Sequence, residues 1–219
     1  MMKTLRSINT ASLAEQIYQV LKTRITNLDI SMGQRLDVAA LQAELGVSRA
    51  PIREALQKLG EGRLVDIKPR VGYFVLRLSR CDIKDIYDMR RLLETHALRE
   101  AMGKIPVGKL SRLRDEILKL RGGVFSPEEL RKRFDRTDHA LHRELILGSC
   151  ENRFLRDFAE RLNNFVTIVK HLNQRIDQAS EEHLRILEAL MKGDLKEAEE
   201  ELITHLNNAE SKTLESLEV

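Results

Sequence analysis

The chain has 219 residues, of which 32% are charged, 42% hydrophobic and 4% aromatic, and it contains two cysteines and no tryptophan. This composition is typical of a globular protein and excludes the disordered, collagen-like and cysteine-framework classes. Residues 1–17 lack the apolar stretch of a secretory signal, and no run reaches the roughly 18 apolar residues that a membrane helix requires. We therefore expect an intracellular, cytoplasmic protein with no membrane partner.

The net charge of +3 conceals an uneven distribution along the chain. Residues 1–80 carry 13 basic and 7 acidic side chains, which leaves 24 basic and 27 acidic side chains for residues 81–219. A basic module followed by a mildly acidic one indicates a polyanion as the partner of the first half. The alternative is a chance imbalance on a solvated face.

Apolar periodicity and helix-boundary residues predict three helices in the first half. The second helix ends at Gly46, the residue type that best adopts the left-handed conformation. The third begins at Ser48, whose hydroxyl can cap it, and Pro51 falls in its first turn, where a missing N–H costs little. The first helix carries one apolar stripe formed by Leu13, Ile17, Leu21, Ile25 and Leu28.

Two β-prone runs, residues 64–67 and 73–76, follow the third helix. The segment between them contains Pro69 and Gly72, so the pattern predicts a two-stranded hairpin. Three helices followed by a hairpin wing are expected over residues 1–79.

The second half predicts long amphipathic helices without a strand, separated by glycine, proline and asparagine. We expect a mostly α protein in which an all-α six-helix bundle over residues 80–219 follows the winged helix-turn-helix. In such a bundle, sites form from side chains that project inward from facing helices. The predicted spans are 82–102, 106–121, 127–148, 152–173, 177–192 and 194–216.

The helix, glycine turn and second helix match helix-turn-helix geometry, in which the second helix enters the major groove of DNA. Arg49 and Arg53 are four residues apart and therefore share one face, where guanidinium groups can reach guanine edges or phosphates. Ser48 offers a hydroxyl and neighbouring N–H groups to a phosphate. The alternative is a solvated charged face on which Glu54 is the ionic partner.

The segment from Leu36 to Val75 contains LGVSRAPIREALQKL and GRLVDIKPRVGYFV. It closely resembles the winged-helix signature of GntR-family transcription regulators. The resemblance implies a double-stranded DNA operator as partner. Some members of the fatty-acid-regulator branch place an arginine where this chain has Ala39, so no DNA-contacting residue is carried over to that helix. The implied contacts are Ser48, Arg49 and Arg53 in the recognition helix, Gly72 in the wing, and Arg35 and Arg70 on the DNA backbone.

Three of the six histidines lie on apolar helix faces. His142 is one turn after Asp138, His183 precedes a leucine stripe, and His205 lies within the apolar face of the last helix. If these helices face one another, three imidazoles and one carboxylate converge on a divalent-metal site suited to zinc, nickel, cobalt, iron or manganese. The alternative for each histidine is a hydrogen-bonded core residue.

The second half also resembles the FCD effector domain, whose pattern is D-x3-H, an asparagine, E-H-x2-I-L-x-A-L-x2-G-D and a final histidine. The resemblance implies that Asp138, His142, His183 and His205 bind one divalent transition metal per chain, with zinc or nickel preferred. It also makes Arg90, in an R-x3-E stretch, the candidate residue for binding an effector carboxylate. The alternative for Arg90 is an ion pair with a nearby glutamate, either Glu94 or Glu100.

Six bundle helices resemble the shorter vanillate-regulator-like subgroup. The remaining histidines of interest, His139 and His171, fall outside the FCD pattern and are interpreted as surface or pocket-wall residues.

The leading hypothesis is a homodimeric transcription regulator on a palindromic operator, modulated by a small carboxylate that binds beside the metal. One alternative is a metal-responsive regulator with no organic effector. The other is a metalloenzyme. Against it stands the lack of a catalytic base beside the predicted metal site. Glu182 adjoins His183 and on a helix points about 100° away from it.

Overall fold

The computed structural model describes residues 12–173 and 175–217. The chain divides into two compact units, one ending at Leu78 and the other beginning at Ser79. The sequence places this boundary one residue later. In the described part of the chain, no helix is long and apolar enough to cross a membrane.

The described residues of the first unit, 12–78, form three helices and three short strands. The helices α1 and α3 pack against each other through fully buried side chains that include Leu21, Ile52 and Leu56. Leu13, predicted to belong to the buried stripe of α1, is 47% exposed, and the buried face begins at Ala14 instead. The elements are α1 (Leu13–Thr26), β1 (Arg35–Leu36), α2 (Val38–Leu45), α3 (Arg49–Glu61), β2 (Val65–Lys68) and β3 (Gly72–Val75).

The wing is a three-stranded antiparallel sheet in the order β1-β3-β2, and the predicted two-stranded hairpin is therefore incomplete. Strand β1 pairs with β3 in the register Arg35↔Phe74. Its two residues are too few to give an alternating pattern, which is why the sequence does not reveal it. The pairing supplies partners for backbone groups on the free edge of β3 and ties the chain before α2 to the wing.

The second unit consists of helical segments, as predicted. Helix α4 begins at a capping box in which Ser79 and Asp82 satisfy each other's backbone N–H groups. The helices are α4 (Arg80–Ala101), α5 (Val107–Gly122), α6 (Pro127–His139), α7 (Arg153–Leu172), α8 (Ile176–Lys192) and α9 (Leu195–Ser216).

The predicted uninterrupted α-helix over 127–148 is wrong in its second half. After α6 the chain continues as a π-helical stretch, Ala140–Ile146, and then as a 3-10 turn, Leu147–Ser149. Apolar periodicity does not distinguish these helix types, because the buried residues keep a similar spacing. A π-helical turn is rare and occurs frequently at functional sites, and this one carries His142.

Candidate metal centre and nucleic-acid interface

Three buried histidines converge inside the second unit. They are His142 in the π-helical stretch, His183 on α8 and His205 on α9. The Nε2 atoms of His142 and His183 are 3.3 Å apart, and the ring centroids of His183 and His205 are 4.6 Å apart. One nitrogen from each ring can be chosen so that all three lie within 4.8 Å of one another. The structure therefore brings together three of the four predicted ligands.

Two glutamates orient two of these rings. Nδ1 of His142 is 2.6 Å from Oε2 of Glu94 on α4, and Nδ1 of His205 is 2.8 Å from Oε2 of Glu182 on α8. A carboxylate accepts a hydrogen bond, so each Nδ1 carries the hydrogen and each Nε2 lone pair is left for the centre.

Sequence reasoning missed the role of both glutamates. It places Glu182 away from its neighbour His183, which is correct for that ring. Glu182 instead contacts the third histidine, on a different helix. For Glu94 the sequence suggests only an ion pair with Arg90. The available signal was its position one turn from Arg90 on the helix that faces the histidines.

Asp138, the fourth predicted ligand, lies beside the histidines on α6. Its Oδ1 is 3.9 Å from Nε2 of His142 and 3.8 Å from Nε2 of His183. Its Oδ2 accepts a hydrogen bond of 2.7 Å from Nζ of Lys170 on α7. One carboxylate oxygen thus faces the two imidazoles while the other is held by an ammonium group.

The electrostatics keep the carboxylates ionised and two of the imidazoles neutral. Burial would raise the pKa of Glu94, but the charge of Arg90 and the hydrogen bonds from Arg90 and His142 outweigh it and lower that pKa to about 2. Burial likewise opposes ionisation of Asp138, but the ammonium of Lys170 holds its pKa well below the usual range. Burial lowers the pKa of His205 to about 4, against the opposing hydrogen bond to Glu182. Burial and the neighbouring imidazoles lower the pKa of His183 as well.

The donor set fits a first-row divalent metal. Two nitrogens bound tetrahedrally at the usual Zn–N distance of 2.0–2.1 Å lie about 3.3 Å apart. That is the separation between the Nε2 atoms of His142 and His183. Neutral imidazole nitrogens with one carboxylate oxygen are donors that suit zinc and its neighbours.

A small cavity adjoins the centre and is rich in cations. Its lining includes Arg90, Lys170 and Arg175. Each cation is already paired with a carboxylate. Nε of Arg90 donates to Glu94 over 2.7 Å, and Arg175 donates to Glu182 over 2.8 Å. Arg90 therefore forms the alternative ion pair with Glu94. This pair lies in the interior of the unit and not at its surface.

The two unassigned histidines lie outside the centre. His139 is exposed and lies 3.3 Å from Glu144. His171 is half-buried on α7, 3.6 Å from Asp135 on α6.

In the first unit, four of the six predicted DNA contacts line one groove. It lies between the start of α3 and the wing and includes Arg35, Arg49, Arg53 and Gly72. Arg49 donates to Gln42 over 3.2 Å, and Arg35 donates to the carbonyl of Val71 over 3.2 Å. The fifth contact, Arg70, is exposed in the turn between β2 and β3, with a left-handed φ of 62°.

Gly72 is required by its backbone and by its neighbour. Its φ is 140°, a conformation that side chains disfavour, and a Cβ there would lie 3.3 Å from Nε of Arg35. Glycine at this position thus leaves room for the arginine at the wing base.

The predicted cap by Ser48 is wrong in one respect. Ser48 is the N-cap residue of α3, but its side chain makes no capping hydrogen bond. The hydroxyl is not turned toward the free N–H groups of the first turn, and the residue is exposed.

Family models match both units. A model described as "Bacterial regulatory proteins, gntR family" matches residues 13–75. The model of the FCD domain matches residues 85–208, which is more than half of the chain. The chain belongs to the GntR family and carries an FCD domain. This GntR/FCD protein is a DNA-binding transcription regulator, and its named relatives are transcription regulators rather than enzymes.

Relatives of this GntR/FCD protein extend over nearly the whole chain. The HTH-type transcriptional regulator YdhC of Bacillus subtilis is 28% identical over 197 residues, covering 88% of this chain and 87% of YdhC. The HTH-type transcriptional repressor RspR of Escherichia coli K12 is 26% identical over 203 residues, covering 90% of this chain and 87% of RspR.

Solved structures support the same fold. A GntR regulator from Rhodococcus sp. RHA1 is similar with a TM-score of 0.73 at 22% identity, covering 92% of this chain and 97% of that one. The Zn²⁺-bound FCD domain of TM0439 is similar with a TM-score of 0.56 at 27% identity, covering 64% of this chain and 97% of that domain.

Proposed function

We propose that the helical domain of this regulator binds one divalent transition metal, zinc or nickel, through His142, His183, His205 and Asp138. The observation that carries the proposal is the convergence of three buried imidazoles, two of which have their Nδ1 atoms held by carboxylates. Such carboxylate–histidine pairs are the usual outer support of metal ligands. The similarity to an FCD domain described as Zn²⁺-bound supports the same assignment.

Elemental analysis of the purified protein, before and after incubation with zinc or nickel, tests this proposal. We expect about one metal ion per chain in the wild type, as four ligands around one centre require. His183→Ala and His205→Ala should each lose it, whereas the exposed His139→Ala should keep it. A wild type that stays metal-free after incubation would return these histidines to a packing role.

We further propose that a small carboxylate binds beside the metal, is held there by Arg90, and modulates operator binding. The cation-rich cavity next to the histidines supports this proposal, since guanidinium groups pair with carboxylates in fixed geometry. The metal, when bound, would supply open coordination positions for the oxygens of the acid. To act as a signal, the acid must bind two arrangements of the domain with different affinity.

A metal-responsive regulator without an organic effector is the second candidate. The ion pair between Arg90 and Glu94 favours this candidate, because Glu94 already takes up the guanidinium group that would bind the effector carboxylate. Titrating operator binding with zinc, with and without a panel of carboxylic acids, separates the two functions. An acid-dependent shift at saturating metal supports the effector, and a response to metal alone supports the sensor.

For the DNA-binding function, we propose that residues 1–79 read the operator and that residues 80–219 dimerise and sense the ligand. The groove lined by Arg35, Arg49, Arg53 and Gly72 supports direct contact with DNA, with Ser48 and Arg70 on phosphates. One recognition helix reads only a few base pairs, so a homodimer on a palindromic operator is expected. Light scattering should give twice the 25.2 kDa chain mass.

A further inference from the structure

One ion pair beside the proposed metal centre links a candidate ligand to a cation. Nζ of Lys170 donates to Oδ2 of Asp138 over 2.7 Å. The side chains of Asp138 and Lys170 are 9% and 17% exposed. Since a buried carboxylate without a partner is costly, this ammonium provides a counter-charge for Asp138.

A second carboxylate lies within reach of the same ammonium. Asp135 is three residues before Asp138 on α6, and its Oδ1 is 3.7 Å from Nζ of Lys170. That distance is too long for a hydrogen bond, and among the described residues the buried Oδ1 of Asp135 has no hydrogen-bond partner. A buried acceptor left unpaired costs free energy, so a hydrogen bond from the ammonium of Lys170 to this oxygen would be favourable.

We propose that Lys170 is a positioning residue that moves between these two aspartates according to metal occupancy. This inference rests on the proposed metal site. In the metal-free protein Lys170 pairs with Asp138. A divalent cation on Asp138 repels the ammonium at short range, in a site where the other buried charges are already balanced. Lys170 then shifts toward Oδ1 of Asp135 and completes the hydrogen bond that is missing there.

The shift would couple the metal to the neighbouring cavity. Lys170 lines that cavity together with Arg90 and Arg175. Its movement toward Asp135 changes the charge that a ligand meets there and changes the contact between α6 and α7. Metal loading would therefore change how strongly the cavity binds an anion.

Zinc affinity measured by chelator competition tests this switch in four proteins: wild type, Lys170→Met, Asp135→Asn and the double variant. Because zinc no longer has to displace an ammonium, Lys170→Met should bind it roughly tenfold more tightly. Asp135→Asn removes the second carboxylate and should weaken zinc binding severalfold. In the Lys170→Met background, Asp135→Asn should change the affinity little, which isolates the coupling between the two residues. Lys132→Met, which breaks an exposed pair with Glu128, is the matched control and should match wild type.

The outcomes separate the switch from the metal site. Weaker zinc binding in Lys170→Met, with no effect of Asp135→Asn, would mean that Lys170 only holds Asp138 in place and would overturn the switch alone. Absence of zinc binding in the wild type would overturn the proposed metal site and the switch with it. If Lys170→Met does not fold by circular dichroism, Asp135→Asn still decides, because it leaves the pair between Asp138 and Lys170 intact. An unchanged affinity in that variant would then overturn the proposal.

Discussion

At the scale of single residues, the centre is defined by buried charges that cancel in pairs. Arg90 pairs with Glu94, Arg175 with Glu182, and Lys170 with Asp138. Removing two charges from water costs about as much as their attraction returns, so such pairs are weak sources of stability. Their clear effect here is geometric, since Glu94 and Glu182 also hold the rings of two proposed ligands.

The support that Glu182 gives to His205 can be measured directly. Glu182→Gln keeps the shape of the side chain but removes the charge that polarises the imidazole, so zinc affinity should fall by about 10–100-fold. Isothermal titration calorimetry against zinc measures this loss. Glu128→Gln changes an exposed glutamate in the same way and should leave the affinity unchanged. Equal affinities in all three proteins would show that Glu182 gives the ligand no support.

At the scale of elements, α3 and the wing form the proposed reading head. The buried face of α3 contains Ile52, Leu56 and Leu59, and Arg53 lies on the opposite, exposed face. The buried face therefore holds the helix in place, while its arginines remain accessible to DNA.

We expect Arg53→Ala to weaken operator binding by roughly 1–3 kcal/mol per affected half-site and to relax base preference. Fluorescence anisotropy with the operator and with single-base variants measures both effects. Arg112→Ala, at an exposed position of α5, is the control for the loss of one positive charge. Wild-type affinity in Arg53→Ala would remove this residue from the interface.

The turn before the recognition helix depends on a glycine conformation. Gly46 caps α2 with φ 66°, and a Cβ there would meet no atom of the described residues within 4 Å. Gly46→Ala should therefore cost only the left-handed strain, about 1–2 kcal/mol of unfolding free energy. Urea unfolding measures it, with Gly108→Ala as the control, because Gly108 has no positive φ and equally open surroundings. A Gly46→Ala protein as stable as Gly108→Ala would contradict the assigned strain.

At the scale of the whole molecule, the buried histidines make stability depend on pH. The pKa of His205 is about 4 in the folded protein and 6.5 in an unperturbed chain, so the unfolded state binds more protons between these values. The free energy of unfolding of the metal-free protein should therefore fall as pH drops from about 6.5 to about 4, by on the order of 2 kcal/mol. His183, whose pKa is also lowered by burial, acts in the same direction.

Urea unfolding in the presence of a chelator, between pH 7.5 and 4.5, measures this dependence. His205→Gln should show a shallower decline, because one of the two histidines whose pKa is lowered by burial is gone. Metal occupancy should also fall below about pH 6, since protons compete with the metal for imidazole. Stability that is constant or rises toward acid would contradict the buried, neutral histidines.

Local signals in the sequence predict the helical class, the recognition helix and the four candidate ligands. Apolar periodicity, glycine stops and the glycine turn are local signals, and they act through backbone preferences that do not need the rest of the fold. For the same reason, sequence missed β1, whose pairing partner lies almost 40 residues away at Phe74. It also missed the π-helical stretch, which keeps the apolar spacing of an α-helix.

The side chains that face the imidazoles become identifiable once the packing of the helices is known. Glu94, Glu182 and Lys170 come from α4, α8 and α7, and each contacts a group that lies on another helical segment. Contacts between distant segments depend on how helices pack and rotate, and periodicity along one helix does not contain that information. Local sequence patterns thus identify the candidate metal ligands, whereas helix packing brings the charged residues into contact with them.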